Sequence, residues 1–268
     1  FHHGNILDPT SLPKTGAFRH VVHAATDLTL GPMLSPQQRF SQIVDGTRNM
    51  LEYAVACGAK RFLLTSSGGV YGPQPTAMEK IPEDYHGMPD PLNTANTYSV
   101  AKRVAEHLCA LYQNAYGLET VIARCFAFVG QDLPLDVHFA IGNFIRDAVY
   151  SDSIQVSGDG TPLRTYLDQK DLAHWLMTLL EQGRAGEAYN VGSDEVVSIA
   201  ELAYLVRDLL APNKSVKILG QSNTMDGRNR YIPDIRKARE ELGLTVRIPL
   251  REAIQRAGVA HRLNSRSI

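Results

Sequence analysis

The chain has 268 residues, 44% hydrophobic and 21% charged, with a formal net charge of −1. That length supports a full core in one or two domains, and so small a charge gives no basic field for nucleic acid or an anionic membrane. The longest apolar runs, such as Phe62-Leu63-Leu64, are too short to span a bilayer.

Phe1-His2-His3-Gly4-Asn5-Ile6 reads as a strand end running into a turn. Phe18 to Ala25, with Val21-Val22 at its centre, suits a strand buried on both faces. Thr26 to Gln37 contains Gly31, Pro32 and Pro36 and reads as a loop. From Gln38 the period becomes helical, with Ile43, Met50, Leu51, Ala54 and Val55 on one face and Gly58 placed for a C-terminal cap. Lys60 to Ser67 is a second buried strand, entering the sharp turn Ser66-Ser67-Gly68-Gly69-Val70-Tyr71-Gly72. Residues 73–96 form a long Pro-, Asp- and Asn-rich loop, which in a compact domain usually serves function. A helix from Thr97 to Tyr116 stops at Gly117, and Glu119 to Phe126 is a third buried strand.

Beyond Gly130 the texture is mixed. Residues 139–149 read as a helix, 154–156 as a short strand, and 172–182 as a helix after the polar stretch Arg164 to Asp171. Ala188 to Gly192 looks like another sheet strand. Ser198 and Glu201 form a capping box opening a helix to Leu210, and helices follow at 234–242 and 249–257. Alternating strands and helices argue for an α/β fold with a parallel sheet and right-handed crossovers. Ligands bind such sheets at the carboxyl ends of the strands. Ala24-Ala25, Ser66-Ser67-Gly68 and Phe126-Ala127 fall there, as does Tyr98 at the start of the next helix.

Tyr98 and Lys102 are four apart, so a helix puts them one turn from each other on one face. A tyrosine normally ionises near pH 10, and an ammonium nearby favours its phenolate. Bringing that value to about 7 takes roughly 4 kcal/mol, which a lysine and a positively charged nicotinamide together can supply. The spacing alone is common and equally describes a solvated helix face. Cys57, Cys109 and Cys125 lie far apart without metal-ligand spacing, so no metal is expected. Sparse free cysteines, with no secretory signal at the start, point to the cytoplasm.

The chain resembles the extended short-chain dehydrogenase/reductases, specifically the nucleotide-sugar epimerases and dehydratases. The resemblance rests on Gly4-Asn5-Ile6, Val22-His23-Ala24-Ala25, Gly46-Thr47, the turn from Ser66 to Gly72, Tyr98-x-x-x-Lys102, Arg164 to Asp171 and Tyr189-Asn190-Val191-Gly192. It implies a Rossmann-like doubly wound parallel sheet with a smaller α/β substrate domain. The division expected is 1–130 plus 165–193 for the dinucleotide half and 131–164 plus 194–268 for the substrate half. Tyr98 would be the general acid/base, with Lys102 binding the nicotinamide ribose and lowering the Tyr98 pKa. Ser67 would hydrogen-bond the reacting sugar oxygen, with Ser66 as the competing choice. Ala24 and Ala25 would admit the dinucleotide backbone, joined by Asn5, Ile6, Ser66 and Phe126. Gly68, Asn143 and Arg164 would contact substrate, Arg164 through bidentate bonds to a diphosphate. The bland alternative for Arg164 is a surface pair with Asp168.

Four departures stand out. The Gly-x-x-Gly-x-x-Gly turn is missing, and relatives carry roughly 60 residues, two strands and two helices, ahead of the counterpart of Phe1. Asn5 replaces an aspartate facing adenine. Gly68-Gly69 stand where dehydratases place an Asp-Glu pair and decarboxylating relatives keep the glutamate; glycine transfers no proton. Ala127 stands where an asparagine contacts the substrate diphosphate. The resulting expectation is an NAD-dependent 4-epimerase of a nucleotide-linked sugar, with NADP open. A ketoreductase or dehydratase of the same family is the near alternative, and a non-catalytic binding member the distant one. A homodimer is expected through helices 38–57 and 97–116.

Overall fold

The computed structural model describes residues 1–264 other than 15, 27–33, 136, 138 and 222–228. The strands are β1 (His20–His23), β2 (Arg61–Ser67), β3 (Glu119–Cys125), β4 (Phe128–Val129), β5 (Ser153–Val156), β6 (Leu163–Arg164), β7 (Leu167–Asp168), β8 (Ala188–Val191), β9 (Val197–Ser198), β10 (Ser215–Ile218) and β11 (Arg230–Tyr231). The helices are α1 (Pro36–Ala56), α2 (Thr97–Tyr116), α3 (Ala140–Tyr150), α4 (Gln169–Gln182), α5 (Ile199–Leu210), α6 (Arg236–Leu242) and α7 (Leu250–Asn264). Most of the loop expected before α1 lies outside the described residues.

The central sheet is parallel throughout, in the order β1-β2-β3-β8. Successive strand residues point to opposite faces, and both faces are covered. Phe62, Leu64 and Ile122 meet Ile43, Leu51 and Ala54 of α1 and Ala101, Ala105 and Leu108 of α2. Leu63, Val121, Ala123, Tyr189 and Val191 meet Trp175 and Leu179 of α4 and Ile235 and Ala238 near the chain's end. The continuous apolar runs of β2 and β3 are the signature of such double burial. A separate cluster gathers α3, α5 and α7 around Ile154 and Val156.

Local chemistry sets the element ends. Ser35 and Gln38 form a reciprocal capping box with Pro36 in the first turn, so α1 begins earlier than apolar periodicity indicates. The left-handed Gly58 (φ 73°) and Gly117 (φ 68°) terminate α1 and α2. Asp168 caps α4 through the Lys170 N–H, starting that helix at Gln169 rather than 172.

The first strand departs from expectation. In the described sheet β1 is an edge, and Val22 keeps 39% of its surface exposed. A Val-Val pair marks a strand but does not dictate how many neighbours it finds. The apolar residues of α2 also divide. Leu108 and Cys109 are buried against the chain's own sheet, while Leu111 and Tyr116 face outward. Among the described residues, no helix is long and apolar enough to cross a membrane.

Candidate active site

The carboxyl ends of β1, β2 and β3 meet the first turn of α2. Lys102 is buried there, and its Nζ donates to the Thr65 carbonyl oxygen (2.8 Å) and to Thr26 Oγ1 (2.9 Å). Burial disfavours the ammonium and brings its pKa down to about 8. His23, also buried, contacts Thr47 Oγ1 through Nε2 at 3.2 Å. Burial and the neighbouring Lys102 charge lower the His23 pKa to about 4, so the imidazole is neutral at pH 7.

Because β2 alternates faces, Ser66 and Ser67 part company. Ser66 Oγ donates to Glu106 on α2 at 2.6 Å, so its proton is committed to that carboxylate. Glu106 is paired with Arg124 at 2.9 Å, and Arg124 Nη1 donates to the Tyr71 hydroxyl (2.8 Å) and the Glu83 carbonyl (3.1 Å). Tyr71 in turn donates to Asn190 Oδ1 at 2.8 Å. Ser66 thus belongs to a buried network tying the strand ends together. Ser67 faces the other way, where its hydroxyl accepts the Gly69 N–H (3.1 Å) and is close enough to the Tyr98 phenol to favour its ionised form. Of the two serines, the structure brings Ser67 to the tyrosine.

The electrostatics around Tyr98 differ from the sequence expectation. Burial pushes its phenol above the usual value, opposed by the neighbouring Ser67 hydroxyl and the charge of Arg39. The Lys102 ammonium is turned to Thr65 and Thr26 and lies 5.9 Å from the ring centroid. The Arg39 guanidinium lies closer, at 5.3 Å. Arg39 and Gln42 sit one turn apart on α1. The Nε of Arg39 and the Oε1 of Gln42 are buried and have no hydrogen-bond partner among the described residues. Sequence reading passed over both, although their spacing puts them on one helix face.

A shallow cleft of about 400 Å³ is lined by Asn5, Ile6, Ala24, Ala25, Thr26 and Gln42. The Asn49 amide fixes the Ile6 carbonyl (2.8 Å), and Asn5 Oδ1 accepts the Leu7 N–H (3.0 Å). Ile6 packs over Gly46, where a Cβ would come within 2.5 Å of its Cδ1. Small alanines for close approach and an unpartnered buried acceptor fit a dinucleotide. Phe126 lies elsewhere. Its ring is buried between Tyr231 (4.5 Å between centroids) and Tyr71 (6.4 Å).

A second cleft, about 480 Å³, includes Gly69, Asn96, Ser99, Arg164, Arg230 and Tyr231 in its lining. Arg164 Nη1 donates to the carbonyls of Leu163 (2.8 Å) and Asn229 (3.3 Å), with Asp168 committed to capping α4, so the surface pair is not formed. Gly68 is covered, since a Cβ there would lie 2.6 Å from the Tyr231 hydroxyl and 2.7 Å from Phe126 Cζ. Asn143 lines a different cleft and accepts from Arg146 at 3.2 Å. Tyr231, from β11, points its hydroxyl at the Cys125 carbonyl at 3.5 Å; no periodicity in a two-residue strand announces it.

A model of the NAD dependent epimerase/dehydratase family matches residues 1–192. The chain belongs to this family. UDP-glucuronic acid decarboxylase 5 of Arabidopsis thaliana is 34% identical over 220 residues, 82% of this chain and 63% of that protein. UDP-glucuronic acid decarboxylase 1 of Danio rerio is 32% identical, across 84% of this chain and 52% of its own length. The chain therefore spans between about half and two thirds of these curated relatives. Among solved structures, an epimerase from Methanothermobacter thermautotrophicus is 26% identical with a TM-score of 0.81, covering 98% of this chain and 78% of that one. The structure of RMD from Pseudomonas aeruginosa complexed with NADPH is similar in fold, at 24% identity and a TM-score of 0.86, covering 98% of this chain and 88% of that one. The family membership and the Rossmann-type α/β fold are those the sequence motifs imply.

Proposed function

We propose that this chain carries the acid/base centre of an NAD-dependent enzyme that epimerises a nucleotide-linked sugar through a transient 4-keto stage. The observation that supports the reading is the convergence of Ser67, at the carboxyl end of β2, with Tyr98 and buried Lys102 in the first turns of α2. A nicotinamide dinucleotide, when bound, supplies a reversible hydride acceptor. Asn5, Ile6, Ala24, Ala25 and Gln42 would hold it, with Lys102 at its ribose. Tyr98 takes the proton of the sugar hydroxyl as that carbon is oxidised and returns it after the keto-sugar has presented its other face. Ser67 donates to the same oxygen. Arg164 offers its guanidinium to the diphosphate, and Asn143 is proposed for a more distant part of the substrate. Residues 1–130 with 165–193 would form the dinucleotide half and the remainder the substrate half.

The relatives named as decarboxylases make loss of carbon dioxide the reading to beat. Against it stands the turn after β2. Gly68 and Gly69 carry no acid, and a Cβ at 69 would meet Ser99 Oγ at 2.6 Å, just as one at 68 meets Tyr231. A ketoreductase would use the same Ser67, Tyr98 and Lys102. We also propose a cytoplasmic homodimer through the outward faces of α1 and α2, where Phe40, Leu111 and Tyr116 are exposed.

Full-length protein given UDP-, GDP- and dTDP-sugars with NAD should invert the sugar without net change in reduced cofactor. Tyr98→Phe should lower turnover by about 10² to 10⁴. Net consumption of NADH or NADPH would make the enzyme a reductase. Carbon dioxide released from UDP-glucuronic acid would make it a decarboxylase. Unimpaired biological activity of Tyr98→Phe would make it a binding protein.

A further inference from the structure

Lys102 reaches the strand ends from α2, and the groups that receive it are themselves fixed. Thr65 Oγ1 donates to the His23 carbonyl at 3.1 Å, tying β2 to β1, while the Thr65 carbonyl accepts from Lys102 Nζ at 2.8 Å. Thr26 comes three residues after the end of β1, and its N–H closes a tight turn on the Ala24 carbonyl at 2.9 Å. Its Oγ1 lies 2.9 Å from Lys102 Nζ. Thr26 also lines the cleft that holds Ala24, Ala25 and Gln42. One short side chain therefore touches both the buried lysine and the cleft that fits a dinucleotide.

We propose that Thr26 is a positioning residue for Lys102: its oxygen holds the ammonium at the strand ends, and its own proton is left for an oxygen of the bound dinucleotide. Valence fixes the direction of the bond. An ammonium has three protons and no lone pair, whereas a hydroxyl has one proton and two lone pairs. Lys102 can only donate, so Thr26 accepts. The Thr26 proton then has no acceptor among the described residues, and the cleft lies beside it. The third Lys102 proton has none there either, since Thr65 and Thr26 take the other two. Two free donors on adjacent groups suit the oxygens of a ribose–phosphate backbone. The remaining groups that face Lys102 do not replace Thr26. On α2 these are the Tyr98 ring and Glu106, which is paired with Arg124 at 2.9 Å. From β3 comes the Cys125 thiol and from β1 the neutral His23 imidazole. Without the Thr26 oxygen the buried ammonium keeps one acceptor of two, which favours the neutral amine.

This role rests on Lys102 serving a dinucleotide, but the Lys102 titration needs neither cofactor nor sugar. In full-length protein labelled with ¹³C-lysine, the Lys102 side-chain resonance is identified by its loss in Lys102→Arg. In wild type it should titrate near 8. Thr26→Val keeps the shape of the side chain and removes the hydroxyl. It should lower the Lys102 ionisation by about one pH unit, the scale of one lost hydrogen bond to a charged group, and Thr26→Ser should restore it. A Lys102 titration unchanged in folded Thr26→Val overturns the proposal, as does an equal shift in Thr26→Ser. Calorimetry with NAD alone should show binding weakened about tenfold in Thr26→Val and little changed in Thr26→Ser. Wild-type affinity in Thr26→Val would also overturn it. A wild-type protein that binds neither NAD nor NADPH sinks the functional reading instead, and the Lys102 titration still decides the role of Thr26. If sugars are turned over, the alkaline limb of kcat against pH should move down by the same unit in Thr26→Val.

Discussion

The guanidinium of Arg39 lies 5.3 Å from the centre of the Tyr98 ring, nearer than the Lys102 ammonium on Tyr98's own helix at 5.9 Å. A cation over an aromatic face is attracted by its quadrupole, and it favours the phenolate once the proton leaves. Removing that charge while keeping the length of the chain, as in Arg39→Met, should therefore raise the pH at which Tyr98 ionises. The limb of the kcat/KM profile that reports this group should move upward. A profile identical to wild type would mean that solvent screens the guanidinium.

The two serines at the end of β2 should separate stability from turnover. Ser66→Ala removes one donor from the buried Glu106 carboxylate and should cost about 1–3 kcal/mol in urea unfolding, with kcat changed less than about twofold. Ser67→Ala should leave the melting temperature within about 4 °C and lower kcat by about 10- to 100-fold. The reverse pattern would reassign the roles.

Glu106 and Arg124 are both largely out of solvent, with side-chain exposures of 14% and 16%. Glu106→Gln strands the guanidinium beneath the site. Breaking such a pair by removing one partner costs about 3–5 kcal/mol, read as a fall in the urea midpoint at constant slope. Gain of stability in Glu106→Gln would show that desolvating the pair outweighs its attraction.

His23 gives stability a pH dependence of definite sign. Its folded value is about 4 against 6.5 for a free side chain. Between these values the unfolded state binds more protons, so stability falls as pH drops from 6.5 toward 4 and levels off below. Above 6.5 the contribution is fully present. Unfolding free energy measured across pH 4–7 should show this slope in wild type and lose it in His23→Gln.

The arrangement of strands and helices was legible because the parallel sheet writes itself into continuous apolar runs such as Phe62 to Leu64, and Gly58 and Gly117 punctuate the helices. The paired strands β4 with β7 and β6 with β11 were not, since two residues carry no period. Tyr98 and Lys102 were found by helical spacing, and the strand end after β2 by its glycines. Arg39, Gln42 and Tyr231 were missed because their meetings with Tyr98, with the cleft beside Ala24 and Ala25 and with Phe126 depend on how distant segments pack.

The sequence by itself determined the α/β alternation, the family and which residues reach the strand ends, because these follow from periodicity and local motifs. Only the tertiary structure decided which serine faces the tyrosine, which cation lies over its ring and what fills the space beside Gly68. Hydrogen-bond direction and burial depend on neighbours tens to hundreds of residues away, and no local pattern encodes them.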